Sequence, residues 1–110
     1  MSPAKKSDRR RLIAAMEELE TKGYAVGMGR DDCSTCASAR LSELADKIVY
    51  WNMQDEERAF TRRGAMTLLP EGIYVGWDGD AEEIMAAFRA QDFQVKWNGD
   101  AGLRILILPA

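Results

Sequence analysis

The sequence predicts an α/β domain, with α+β as the alternative: a two- or three-layer sandwich around a mixed sheet of about five strands. Three observations point there. Stretches with helical apolar spacing alternate with short β-branched or aromatic runs along the whole chain. The last third reads as helix, strand, Asn98-Gly99 turn and strand, a β-hairpin signal. The length of 110 residues, 46% of them hydrophobic, suits one buried core.

The elements follow in order. Residues 8–22 form a first helix, because Ser7 can accept from the open amides of its first turn and Leu12, Ile13, Met16 and Leu19 share one face. Lys22 and Gly23 suit its carbonyl end. "YAVGM" (24–28) is a strand. Residues 33–45 make a second helix, capped by Asp31, Asp32 or Ser34, with Leu41 and Leu44 turned inward. "KIVYW" (47–51) is the second strand, rich in β-formers. "QDEERAFTRR" (54–63) is a short charged helix anchored by Phe60 and closed by Gly64. "MTLL" and "IYVGW" flank Pro70-Glu71-Gly72, either as one strand with a lead-in or as a tight hairpin. Asp80 caps a helix that turns Ile84, Met85, Ala87 and Phe88 inward, with Glu83 close to a capping-box position. "FQVKW" (93–97) and "LRILIL" (103–108) complete the hairpin. The order is therefore αβαβαβαββ, with residues 1–7 as a basic arm and 8–110 as a single domain. All three Trp end strands, in "VYWN", "VGWDGDA" and "VKWNGDA", an echo that turn chemistry explains without a repeat.

Charge is unevenly spread. Net charge is −3, yet Lys5, Lys6, Arg9, Arg10 and Arg11 against Asp8 give residues 1–11 a local +4, leaving −7 for the remainder. A basic segment on an acidic body can touch phosphate or an acidic protein surface; it also serves as a plain solvated arm. Nucleic-acid binding would rest on these residues with Arg62 and Arg63, and no recognition motif accompanies them. Histidine is absent, which excludes Cys/His and Ser/His/Asp nucleophile systems and His metal ligands. No apolar run nears the ~20 residues that cross a bilayer. The basic opening is not followed by an apolar stretch, so a cytoplasmic location with reduced thiols is expected.

Both cysteines lie in "RDDCSTCASAR", at the step from a strand to a helix. Three readings stand. As a redox dithiol, Cys33 would be the attacking thiolate, favoured by the amides of a helix start, and Cys36 the resolving thiol. Local likeness to thioredoxin-like domains supports this, while Asp31 and Asp32 oppose thiolate formation and the closing strand differs from the helix that ends those domains. As a metal site, Cys33 and Cys36 would need Asp31 and Asp32, or a second copy, to reach four ligands. As structural residues, they are small hydrophobes packed at a helix start. The loops after the strands also gather Asp31, Asp32, Cys33, Asn52, Gln54, Asp55, Asp78 and Asp80 near Trp51 and Trp77, a crevice for a cation or polar ligand if the strands run parallel. The competing reading is that Asp and Asn are ordinary turn and cap residues.

The ordered motifs resemble an uncharacterised bacterial domain family of unknown function. The matching residues are Cys33 and Cys36; Gln54, Asp55 and Glu57 in "YWNMQDEERA"; "IYVGW"; and Trp97, Gly99 and Arg104 in "FQVKWNGDAGLRILI". The likeness covers most of residues 23–108. The chain departs from it in lacking a Cys before Cys33, a Gly after Cys36 and a His in the Tyr50 strand. The resemblance implies the fold and a shared Cys/Gln–Asp region, but no reaction. The chain therefore reads as an accessory domain, with no cofactor and no enzymatic role assigned, that binds a protein partner. Its expected binding residues are Arg9, Arg10 and Arg11 with Gln54, Asp55, Glu56 and Glu57. Thiol–disulfide exchange through Cys33 and Cys36 is the alternative.

Overall fold

The computed structural model describes residues 7–29, 34–60, 67–97, 99 and 104–109, with only the backbone described at residues 34 and 35. Four helices and five strands appear in the expected order: α1 (Asp8–Thr21), β1 (Tyr24–Met28), α2 (Ser34–Ser42), β2 (Lys47–Trp51), α3 (Met53–Ala59), β3 (Ile73–Asp78), α4 (Ala81–Arg89), β4 (Gln94–Lys96) and β5 (Ile105–Leu108). They build an α/β domain on a mixed five-stranded sheet of order β1-β2-β3-β5-β4. β1 and β2 run parallel, joined by the α2 crossover, and every other pairing is antiparallel.

Side chains alternate across this sheet. One face presents Val49, Trp51, Ile73, Val75, Ile105 and Ile107 to α1 and α4, and this is the main core. α1 contributes Leu12, Ala15, Met16 and Leu19; α4 contributes Ala81, Ile84, Met85, Ala87 and Phe88. Among the described residues the other face meets only α2, whose Ala37 and Leu41 pack on Ile48 and Tyr50 in a small second cluster. The sandwich is thus three layers deep over β1 and β2, and two layers deep over β3, β5 and β4.

Local chemistry sets the ends. The Ser7 hydroxyl accepts from the Arg10 amide and begins α1, and Gly23 at φ +96° lets the chain turn into β1. Several expectations are corrected. Leu44 is exposed, because α2 stops at Ser42 and the chain turns before that position reaches the sheet. Ala15 is buried on α1 where Ile13 is only half-buried. α3 ends at Ala59, since Phe60 turns extended and bridges to Leu68. "TLL" therefore pairs with the end of α3, not with β3, and a turn closed by Gly72 N–H to Leu69 O (2.9 Å) separates the two. Gly64 and Asn98 lie outside the described residues.

Tyr50 leans across the sheet onto Gly76 of β3, where any Cβ would overlap its ring. We expect Gly76→Ala to lower stability by about 1–3 kcal/mol, the range for overpacking, read as a lower urea midpoint at unchanged slope. Most of that loss should vanish in a Tyr50→Leu background.

Candidate functional site

At the end of the sheet where β1 and β2 finish, α3 is seated by its own first residues. The Asn52 side chain accepts from the Asp55 amide at 2.7 Å, and the Asp55 carboxylate accepts from the Asn52 amide at 3.1 Å. This reciprocal capping box satisfies two open amides. It also accounts for the burial of Asn52, the one buried polar residue among those described. Asp55 has a second partner: Arg104 Nη1 donates to both of its oxygens, at 3.2 and 3.1 Å. The guanidinium then lies 4.9 Å above the Tyr74 ring. Tyr50 shares this face. Burial, foremost, raises its phenol pKa above the ordinary value; its bond to Ser38 and the charge of Arg104 act in the opposite direction, and Asp55 adds to the rise.

Glu56, the next residue, faces the other way. It accepts from Arg9 Nε at 3.0 Å and lies 2.9 Å from Arg9 Nη2, with the Trp51 indole N–H at 3.5 Å. Its carboxylate fills the space a side chain would need at Gly29, which sits at φ +70° and donates to Trp51 O at 3.0 Å. The point where the chain leaves β1 toward Cys33 is therefore pinned between β2 and α3. At the opposite end of the sheet, the Tyr24 hydroxyl accepts from the Asp80 amide at 3.0 Å and donates to the Asp80 carbonyl at 3.3 Å. The Asp80 carboxylate caps α4. Lys47 Nζ stands 4.7 Å over the Tyr24 ring and 3.6 Å from Glu83. Burial raises the pKa of Tyr24 too.

The expected crevice does not assemble. β3 runs antiparallel to β2, so Asp78 and Asp80 lie at the far end of the sheet from Asn52, Gln54 and Asp55. Trp77 meets Trp97 edge-on, with centroids 5.6 Å apart. Asp31, Asp32 and Cys33 lie outside the described residues. Cys36 sits in the first turn of α2 and is exposed, so the packed-thiol reading fails there. Of the expected binding residues, Arg9 and Glu56 hold each other. Asp55 serves α3 and Arg104. Arg11 folds inward: it pairs with Asp8, donates to Gln91 O at 2.7 Å and covers Phe93. Arg10, Gln54 and Glu57 are exposed.

Reading the residues one by one missed the Tyr50–Tyr74–Arg104 group. Its signal was the alternation in "IYVGW", which sends Tyr74 to the face opposite Ile73 and Val75. Two hollows meet at Tyr74 and Arg104. One, of about 430 Å³, runs toward Arg58, Leu69 and Glu71; the other, of about 870 Å³, runs toward β4. Both fall within the usual range of binding cavities. Among the described residues no helix is long and apolar enough to cross a membrane.

A family model described as a domain of unknown function (DUF6891) matches residues 4–110. No curated protein and no solved structure matches the chain.

Asn52→Ala should cost about 1–2 kcal/mol, the upper range for a lost cap, measured by chemical denaturation. The phenols of Tyr24 and Tyr50 are harder to ionise in the folded chain than in the unfolded one. Their contribution to stability is therefore intact below about pH 10 and is lost as pH rises through their raised folded-state values. Melting temperature should fall on that alkaline limb, and less steeply in Tyr50→Phe.

Proposed function

From a chain that belongs to the DUF6891 family, a domain of unknown function, we propose a binding module: it holds a protein partner against the half of the sheet that α2 leaves open. One observation carries this reading. Tyr74, the second residue of β3, is 46% exposed between the buried Ile73 and Val75. An aromatic ring held outward on a sheet face, backed by a guanidinium that Asp55 fixes in place, is a preorganised contact with little side-chain entropy left to lose. Leu106 and Leu108 stand half-buried on the same face. The exposed side of α3 borders it, through Arg58 and its bonded neighbour Gln54 (3.4 Å). The charged α3 surface expected from sequence thus adjoins the proposed contact, while Arg9 and Arg11 serve the fold.

A second reading keeps the dithiol, because Cys36 is exposed and not sealed in the core. In it the Cys33 thiolate attacks a disulfide sulfur of a partner and displaces the other sulfur as a thiolate. Cys36 then attacks the mixed disulfide. The partner leaves as a dithiol, and two electrons pass from the Cys33–Cys36 pair, which ends as a disulfide.

The two readings separate in one experiment: capture of a partner on immobilised wild-type chain, on Tyr74→Ser and on a Cys33→Ala/Cys36→Ala double variant. Binding at the open face predicts that Tyr74→Ser weakens retention about tenfold or more and that the double variant retains normally. Normal retention by Tyr74→Ser overturns it. Loss in the double variant alone, with rapid alkylation of Cys33 near neutral pH, selects thiol exchange.

A further inference from the structure

β4 is the last strand of the sheet. It pairs with β5 through Gln94↔Leu108, Val95↔Ile107 and Lys96↔Leu106, and among the described residues no strand pairs with its other side. Gln94 and Lys96 are exposed, Val95 is half-buried, and no proline interrupts the strand. The edge is short, and the residues of β4 whose backbone groups turn away from β5 leave them open to another strand.

A broad, open hollow lies beside it. Its lining comes from both faces of the sheet at once: Met85, Arg89 and Trp97 from the α4 side, and Tyr74, Lys96 and Arg104 from the open side. A strand laid along β4 sends successive side chains to alternate faces and fills both halves. The charge of the lining identifies the occupant. Among the described lining residues, Arg89, Lys96 and Arg104 stand against one carboxylate, Glu82, on a chain whose net charge is −3. Arg104 shares its charge with Asp55, and Arg89 and Lys96 still outnumber Glu82. The same cations disfavour a second copy of the chain meeting edge to edge, where each would face its like.

We infer that β4 receives an added strand from an acidic, extended segment of the partner, with its carboxylates beside Arg89 and Lys96. This deepens the binding reading above: it names the partner's chemistry and its mode of attachment, and it extends the contact from the open face round the edge of the sheet.

The test uses the full chain labelled with ¹⁵N and three synthetic heptapeptides: one of alternating Glu and Val, one with Lys in place of Glu, and the Glu peptide N-methylated at alternate amides. Strand addition predicts shifts of the amides of residues 94–96 with the Glu peptide, together with cross-strand contacts. It predicts binding weaker by about tenfold or more for the Lys peptide, for the N-methylated peptide, and for Arg89→Glu and Lys96→Glu. Both substitutions are at exposed positions, and a dispersed spectrum verifies that each variant folds. Equal binding of the N-methylated peptide reduces the contact to charge alone and overturns strand addition. Shifts confined to Tyr74 and Leu106, with β4 silent, also overturn it and leave the open-face reading standing. Shifts at β4 that persist in Tyr74→Ser support strand addition even if partner capture does not depend on Tyr74.

Discussion

One helix has to cover a face that needs two. An α-helix with side chains is about 10 Å across and neighbouring strands stand about 4.8 Å apart, so each helix shields roughly two strands. α1 and α4 together close one face of the sheet, whereas among the described residues α2 is alone on the other. This shortfall divides the sheet into a half buried on both sides and a half buried on one. β2 lies in the first half and is buried from Ile48 to Trp51 without alternation. β3 and β5 lie in the second; β5 alternates throughout and β3 over Ile73–Val75. The exposure of Tyr74, the reach of Arg104 across it and the lean of Tyr50 onto Gly76 all follow from the missing cover.

α3 compensates at the end of the sheet. Consecutive residues on a helix diverge by about 100°, and Asp55 and Glu56 use that divergence to hold opposite sides of the molecule. Asp55 ties β5 through Arg104, and Glu56 ties α1 through Arg9. Exposed ion pairs contribute little to stability. The Asp55 side chain, however, is only 10% exposed and is also fixed by the capping box, so its bond sets geometry as well as energy. Asp8 does the same at the start of α1: it receives the Leu68 amide at 2.8 Å and pairs with Arg11, which reaches the turn after α4.

Most of this architecture was legible in the sequence because it rests on local rules. "YAVGM" and "KIVYW" mark β1 and β2 to the residue, and Ser7 and Asp80 mark the starts of two helices. What local rules could not give was strand direction. The ligand crevice expected around Asn52, Asp55, Asp78 and Asp80 required β3 to run parallel to β2; it runs antiparallel, and the group splits between two ends. Asn52 and Asp55 prove to be each other's partners, which the Asn-x-x-Asp spacing allows but does not separate from a ligand site. The open face was illegible for a related reason. The outward turn of Tyr74 is written in its alternation with Ile73 and Val75, yet whether a helix covers it depends on the length and place of α2, a tertiary fact. DUF6891 is a domain of unknown function, so membership leaves function to be argued from surfaces.

The position of β5 bears on how the domain comes to be made. Although it follows β4 in the chain, it occupies the slot between β3 and β4. A ribosome that has released everything up to β4 holds a sheet with a vacancy one strand wide, and the apolar sides of Ile73, Val75 and Val95 border the gap. Closure waits for residues 105–108 to emerge. The nascent polypeptide thus carries two unsatisfied β-margins until that segment is free, the period in which chaperone capture or misassociation with a neighbouring chain competes with self-completion.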